Sequence, residues 1–160
     1  MPRKKRNKIK GAHYENHYVY STHYHVIWCT KYRNCIFDNQ ELAQEMKDIL
    51  LTVAKNNRIV VENIEIMPEH VHMLISFRPS NSGSSVMKAL KGRSAKLFFE
   101  AHPEIKQAKC WGGHLWSGSY YFGSVGNMSK EVVEKYIQGQ RTSKASSGRK
   151  KKKNPHSSGE

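Results

Sequence analysis

The hydrophobic pattern of the first part of the chain predicts a strand followed by a helix. Residues 23–33 (HYHVIWCTKYR) are rich in β-branched and aromatic side chains and predict a strand. Residues 38–57 then carry apolar positions at helical spacing, and Asp38 with Glu41 three residues later predicts a capping box. We expect this helix to pack one face on a sheet. Its apolar positions are Leu42, Met46, Ile49, Leu50 and Val53.

The middle of the chain predicts two more strands and a second helix. Residues 58–67 and 70–77 alternate as strands, and the Pro68-Glu69 joint between them is too short for anything but an antiparallel turn. Residues 85–102 have a helical composition, and we expect Pro103 to stop that helix.

The last part of the chain predicts one more strand and a final helix. Residues 118–125 (GSYYFGSV) predict a fourth strand, and Ser129 is placed to cap a final helix over residues 130–140. Strand, helix, two strands, helix and strand is the order of the split βαβ, ferredoxin-like sandwich. We therefore predict an α+β fold, in which a four-stranded antiparallel sheet carries two helices on one face and a C-terminal helix follows.

Positive charge is concentrated at both ends of the chain. Of the net charge of +14, six positive charges lie in residues 1–11 and a net six in residues 141–160. We expect basic disordered tails over 1–12 and 141–160 around one domain over 13–140, because such tails bury too little apolar surface to fold. The tails are either solvated segments or arms that add salt-dependent affinity for nucleic-acid phosphates, and basic ends around a near-neutral middle favour the arms.

Several classes of protein are excluded by the composition. The chain has no apolar run of spanning length, and its basic start MPRKKRNKIKG is followed by no apolar segment, so we expect neither a membrane span nor a signal peptide. Three cysteines without a Cys-x-x-Cys pair argue against a disulfide framework or a zinc knuckle. We expect a reduced, cytoplasmic protein with no membrane partner.

Two histidines stand one residue apart in the stretch MPEHVHMLISF. Side chains alternate faces along a strand, so His70 and His72 should lie side by side on the face that the helices leave uncovered. Two neutral imidazoles in this position suit a divalent metal. Polar residues are common on such faces, however, and His23-Tyr24-His25 repeats the spacing on the first strand, so spacing alone does not identify a site.

A second candidate feature lies on the final helix. Tyr136 and Gln140 are four residues apart and share one helical face, while Val133 and Ile137 can anchor the helix to the domain. A tyrosine in an amphipathic helix is usually a half-buried packing residue. What sets Tyr136 apart is its occurrence together with the His-apolar-His strand in one basic chain.

Together these features resemble the single-tyrosine HUH transposases, small enzymes that move insertion sequences as single-stranded DNA and belong to one clan with the REP-associated tyrosine transposases. MPEHVHMLISF is similar to their metal-binding strand and EKYIQGQ to their catalytic helix, with further matches in HVIWCTKYR, LKGRSAK and LWSGSYYFGSVG. The resemblance covers roughly residues 20–140. It implies the nucleophile Tyr136, the metal ligands His70, His72 and Gln140, and Mg²⁺ or Mn²⁺ as cofactor. It leaves His25 as a structural or DNA-facing residue.

The resemblance implies a DNA transposase that cleaves and rejoins single-stranded DNA at insertion-sequence ends. Attack by Tyr136 on a phosphodiester would give a 5′-phosphotyrosine and a free 3′-hydroxyl, and the retained bond energy would permit rejoining. Two imidazoles and an amide leave the metal its full charge, and the imidazoles make Mn²⁺ the better chemical fit. A homodimer that exchanges the Tyr136 helix and single-stranded DNA hairpins at element ends are the implied partners.

Several other residues are candidates for supporting roles. Glu69 either orients a histidine or a water molecule, or is an ordinary solvent-facing turn residue. Trp116 either stacks on an unpaired base or packs in the interior. The candidate phosphate contacts, which on such surfaces are often merely solvated, are Lys31, Arg33, Lys91, Arg93 and Lys96.

Other functions are compatible with the same pattern. A domesticated relative that acts on genomic palindromes, or an HUH nickase, would keep the chemistry and change its purpose. A non-catalytic single-stranded nucleic-acid-binding module would use aromatic residues on the open sheet face, where this chain has His70 and His72. An inactive remnant would be expected to lack part of the signature, and no part is missing.

Overall fold

The computed structural model describes residues 11–15, 19–124 and 135–136. Short 3-10 turns at Lys31–Arg33, Ile36–Asp38 and Trp111–Gly113 join the regular elements. No helix within these ranges is long and apolar enough to span a membrane. The strands and helices, in chain order, are β1 (His13–Tyr14), β2 (Val19–Tyr20), β3 (Tyr24–Cys29), α1 (Gln40–Asn56), β4 (Val60–Ile66), β5 (His70–Ser76), α2 (Gly83–Ala101), α3 (Pro103–Lys109) and β6 (Tyr121–Ser124).

The main sheet has four antiparallel strands in the order β4-β5-β3-β6. The two strands that follow each other in the chain, β4 and β5, are neighbours, while β3 lies between β5 and β6. This is the ferredoxin-like order, and the predicted α+β fold is confirmed. The short strands β1 and β2 form a separate antiparallel pair that the hydrophobic pattern does not predict.

The core lies between one face of the sheet and the helices α1 and α2. Register pairs such as Val26 with Met73 and Trp28 with Val71 place fully buried side chains on that face. The predicted apolar positions of α1 point the same way: three are buried and two are partly buried against the core. The alternation of β5 therefore sends His70 and His72 to the opposite face, as predicted.

The start of α1 differs from the prediction. Asn39, not Asp38, caps the helix, and its side-chain oxygen accepts hydrogen bonds from the backbone N–H groups of Glu41 and Leu42 at 2.9 and 3.3 Å. Asp38 instead ends the 3-10 turn Ile36–Asp38, whose first two residues are buried in the core. Burial of this turn moves the helix start by one residue, and the predicted capping box does not form.

The region after α2 also differs. Pro103 ends α2 but begins α3, because a proline at the first helical position loses no hydrogen bond that the helix would make. The strand predicted over residues 23–33 ends at Cys29, and Tyr32 then adopts a left-handed backbone with φ of 57°. The final helix predicted over residues 130–140 lies outside the described residues, apart from a helical Lys135 and Tyr136.

Candidate active site

The two histidines of β5 lie side by side at the end of the strand nearest to the turn. His70 pairs with Cys29 and His72 with Ile27 on the neighbouring strand β3. Both imidazoles are largely covered, with 11% of the His70 side chain and 23% of the His72 side chain exposed. Two polar rings are therefore held next to each other on the sheet with little of their surface exposed.

Glu69 fixes the orientation of the His70 ring. The Nδ1–H of His70 donates to Oε1 of Glu69 at 3.1 Å, and Nη2 of Arg33 donates to the same oxygen at 3.3 Å. Because the carboxylate only accepts, the neutral form of the His70 ring has its proton on Nδ1 and its lone pair on Nε2. A carboxylate on one nitrogen and a free lone pair on the other is the usual arrangement of a metal-binding histidine. Of the two roles considered for Glu69, this hydrogen bond supports the one in which Glu69 orients a histidine.

His72 contacts a second histidine across the sheet. Its Nε2 lies 3.0 Å from Nδ1 of His25, while its Nδ1 lies 3.9 Å from Oε2 of Glu65, beyond hydrogen-bonding distance. Burial, and then the neighbouring His25, lower the pKa of His72. Burial likewise lowers the pKa of His25. Both rings therefore favour the neutral form, which is the form that binds metals.

These donors fit a divalent cation, although they do not make a complete site by themselves. Within the described part of the chain, no group of three or more His, Cys, Asp and Glu residues is arranged to hold a metal. The imidazoles of His70 and His72 can supply nitrogen ligands, so a further ligand must be of another type or come from elsewhere. The predicted amide ligand, Gln140, lies outside the described residues.

Tyr136 is half-buried against the strand β6. Its ring centre lies 6.1 Å from that of Tyr121, and its hydroxyl lies 3.5 Å from the hydroxyl of Ser119. Burial raises the pKa of the Tyr136 hydroxyl. The side chain is accordingly a phenol at neutral pH, and any nucleophilic role requires that its proton be removed during the reaction.

Lys91, one of the candidate phosphate contacts, is hydrogen-bonded within the domain. Its ammonium donates to the backbone carbonyls of Ser117 and Ser119 at 2.7 and 3.1 Å, and burial lowers its pKa. It thereby fixes the segment that brings Ser119 to Tyr136. The sequence carries no signal for this contact, because both acceptors are backbone atoms of a distant loop.

The remaining candidate phosphate contacts have different environments. Arg93 and Lys96 are exposed on α2 and accessible to a ligand. Arg33 is paired with Glu69, and the ammonium of Lys31 lies 5.4 Å from the ring centre of Tyr32. Of these four residues, only Arg93 and Lys96 therefore present their charges on an open helix surface.

Trp116 packs in the interior. It is 7% exposed, its indole N–H donates to the hydroxyl of Ser94 at 3.0 Å, and its ring meets Trp28 edge-on. Both the apolar ring and its polar tip are thus satisfied inside the domain. Of the two alternatives for Trp116, packing accounts for this geometry and base stacking does not.

His25 is the residue near this site whose contact the sequence could not specify. Alternation along β3 puts His25, Ile27 and Cys29 on one face, but only the register of β3 on β5 brings His25 next to His72. Cys29, directly opposite His70, is fully buried, and burial raises the pKa of its thiol. It is therefore a neutral neighbour of the histidine pair.

Comparison with known proteins gives a consistent result. A family model described as "Transposase IS200 like" matches residues 18–140. The ISDra2 transposase TnpA of Deinococcus radiodurans is 43% identical over 123 residues, which cover 77% of this chain and 86% of the relative. The transposase for insertion sequence element IS200 of Salmonella typhimurium is 27% identical over 124 residues, covering 78% and 80%. The crystal structure of a candidate transposase from Deinococcus radiodurans R1 superimposes with a TM-score of 0.74 at 38% identity, covering 80% of this chain and 97% of that chain.

Proposed function

This chain belongs to the family of IS200-like transposases, and from that premise we propose that it cleaves and rejoins single-stranded DNA at insertion-sequence ends through Tyr136. The observation that carries the proposal is the placement of His70 and His72 together on one face of the sheet, with Glu69 orienting the first ring and burial favouring the neutral form of the second. A packing role would not need the carboxylate on Nδ1 of His70.

His70, His72 and Gln140 are the proposed ligands of Mg²⁺ or Mn²⁺. When bound, the cation supplies a Lewis acid for the scissile phosphodiester. The contribution of the chain is to present Nε2 of His70 by holding its Nδ1–H on Glu69. The contact of His72 with His25 must open for its Nε2 to become a ligand.

Tyr136 performs the strand cleavage. Its phenolic oxygen bonds to the phosphorus, the bond from phosphorus to the 3′-oxygen breaks, and the 3′-oxygen leaves as a hydroxyl. The phenolic proton is lost to solvent. Because burial raises the pKa of the Tyr136 hydroxyl, we expect this proton to be lost only once the complex with DNA has assembled. The 5′-phosphotyrosine preserves the phosphodiester energy, so a second 3′-hydroxyl can attack it and join two strands.

The partners follow from the resemblance to the single-tyrosine HUH transposases. We infer that the protein recognises single-stranded DNA hairpins at element ends. A homodimer that exchanges the Tyr136 helix, a cytoplasmic location and a phosphate-binding role for the basic tails complete the proposal. The sheet face that carries His70 and His72 gives little support to a base-reading platform, which would need exposed aromatic rings.

A gel assay tests the proposal. Labelled single-stranded oligonucleotides copied from the hairpin-bearing flanks of the gene are mixed with wild type, with Tyr136→Phe and with the control Tyr14→Phe, with Mn²⁺, Mg²⁺ or neither. Tyr14 is an exposed tyrosine on β1 and serves as the matched substitution. We expect a covalent adduct on a denaturing gel from wild type and Tyr14→Phe with metal, and none from Tyr136→Phe.

The opposite outcome is equally informative. Hairpin binding by wild type without an adduct under any metal would replace the transposase by a binding module or an inactive remnant. If an adduct forms, the genomic copy number of the flanking hairpins separates a mobile element from a domesticated relative.

A further inference from the structure

A groove runs between α2 and residues 113–117. Its volume is about 650 Å³. Its floor is apolar, with Ala95, Phe99 and Leu115 among its residues, and Lys96 and Lys106 stand at its sides. Both lysines are exposed, so the groove combines an apolar floor with a positive rim.

Gly92, in the wall of this groove, is not explained by the packing of the chain. A glycine inside a helix is destabilising relative to alanine. A Cβ added at Gly92 would meet no heavy atom of the described residues within 4 Å, whereas one added at Gly83 would meet Phe122 at 2.9 Å. Gly83 is therefore required by an internal contact. Gly92 leaves open space beside the helix backbone, which permits close approach by a ligand.

The chemistry of the groove matches an unpaired nucleotide. The ring of Phe99 is half-buried, and the ammonium of Lys106 lies 5.5 Å from its centre. An aromatic surface for a base and a cation for its phosphate are the two elements with which proteins hold single strands. Glu100 also lines the groove, but the lysines outnumber it, so the field favours a polyanion.

One end of the groove lies next to the segment that contacts Tyr136. Lys91 and Ser117 line this end, and the ammonium of Lys91 donates to the carbonyls of Ser117 and Ser119 at 2.7 and 3.1 Å. The hydroxyl of Ser119 lies 3.5 Å from that of Tyr136, so the groove ends beside the residues that hold the proposed nucleophile. Resting on the proposed function, we infer that the groove holds a short unpaired stretch of the DNA strand next to the cleaved phosphate.

The test measures binding apart from cleavage. In the full chain carrying Tyr136→Phe, fluorescence anisotropy gives the Kd of a bare hairpin and of the same hairpin with a single-stranded flank. Gly92→Trp fills the groove, and Leu97→Trp adds the same ring to an exposed position of α2 that does not line it. We expect Gly92→Trp to weaken binding of the flanked hairpin about tenfold, the order expected from losing one stacked base. The bare hairpin and Leu97→Trp should show no change.

A smaller substitution separates folding from binding. Gly92→Ala should raise the Tm, because alanine favours the helix and its Cβ meets open space, and it should nevertheless weaken binding of the flanked hairpin. Lys96→Glu should weaken the same complex, whereas Lys55→Glu, on the exposed surface of α1, should not.

Two results would overturn the inference. One is a Gly92→Trp protein that binds the flanked hairpin as tightly as its parent. The other is an equal loss for the bare hairpin, which would assign the groove to duplex DNA. Because these variants lack the nucleophile, failure of the covalent-adduct assay would end the proposed function and leave this binding test standing.

Discussion

The two His-x-His pairs of this chain differ in what their rings contact: His70 and His72 lie on β5, while His23 immediately precedes β3 and His25 lies on it. His70 has Nδ1 on the Glu69 carboxylate, which leaves Nε2 as the nitrogen that a neutral ring offers to a metal. His23 has Nδ1 at 2.6 Å from a carboxylate oxygen of Glu62, and its Nε2–H donates to the carbonyl of Gly11 at 2.8 Å. Both nitrogens of His23 therefore face oxygen atoms of the fold itself.

This difference shows that the partners of an imidazole, and not its spacing in the chain, decide whether it is available to a metal. His23 ties the segment at Gly11 to the edge strand β4 through Glu62, which is a structural use of the ring. His70 and His72 instead lie together on the face of the sheet opposite to α1 and α2. Substitution of corresponding members of the two pairs tests this difference between them.

The largest effect on activity is expected from removing the imidazole rings of the two pairs. His70→Ala or His72→Ala should abolish metal-dependent formation of the Tyr136 adduct, a loss greater than the roughly 10–100-fold that follows removal of a group that only orients a ligand. His23→Ala should retain the activity and lose about 1 kcal/mol of stability with its hydrogen bond. Adduct yield on a denaturing gel and urea denaturation measure the two quantities. Equal losses of activity from His23→Ala and His70→Ala would remove the distinction between the pairs.

The next largest difference is expected between substitutions of Glu69 and Glu62, the carboxylates beside His70 and His23. Glu69→Gln should weaken Mn²⁺ binding roughly 10–100-fold, because an amide can either accept from or donate to Nδ1 of His70 and therefore no longer fixes the tautomer of the ring. Glu62→Gln, the corresponding change beside His23, should leave Mn²⁺ affinity unchanged. Titration of Mn²⁺ followed by the EPR signal of the free ion compares the variants. An unchanged affinity in Glu69→Gln would mean that its hydrogen bond is incidental.

A smaller effect of opposite sign is expected at His25. Its ring occupies Nε2 of His72 at 3.0 Å, and breaking a hydrogen bond of this kind costs about 0.5–1.5 kcal/mol net. Removing the competitor by His25→Ala should therefore tighten Mn²⁺ binding by roughly 2–10-fold. His13→Ala, which removes a ring bonded to Ser76 at the far end of the same strand, is the control. Weaker binding in His25→Ala would make His25 a supporting residue of the site.

The smallest effect concerns a histidine with carboxylates on both nitrogens. His102 lies 2.5 Å from Glu45 and 3.2 Å from Glu104, and the hydrogen bond to Glu45 is the largest cause that raises its pKa above 6.5, with burial opposing it. A raised pKa in the folded state means that the stabilisation is complete below the unfolded pKa and is lost as the pH rises through the folded one. The stability difference between wild type and His102→Gln should thus shrink from about pH 5.5 to pH 9, by less than about 1 kcal/mol because the pair is partly exposed. A difference that stays constant with pH would show that His102 is not charged in the fold.

The fold was predictable because local signals and long-range packing agree. Alternation in β5 predicted which side chains are buried, and α1 buries the apolar face that its spacing predicts. The disagreements arise where tertiary packing outweighs a local preference. Asn39 replaces Asp38 as the cap because the preceding turn buries Ile36 and Phe37, and the pair β1–β2 is too short to give a periodic signal.

The site was predictable in its residue types and less so in their contacts. The face of His70 and His72 follows from a period of two, but the His25–His72 contact depends on a strand register that the sequence does not encode locally. The hydrogen bonds of Lys91 to residues 117–119 could not be predicted from the sequence, because both acceptors are backbone carbonyls. Trp116 shows the same limit, since only the folded chain places Ser94 at its indole.

Pulsed EPR of Mn²⁺ bound to protein labelled with ¹⁵N-histidine distinguishes a metal site on β5 from one at His23 and His25. We predict ¹⁵N couplings from directly bound imidazole in wild type and in His23→Ala, a reduced coupling in His70→Ala and in His72→Ala, and none when both are replaced. Couplings that survive the double substitution, or that vanish in His23→Ala, would contradict the account.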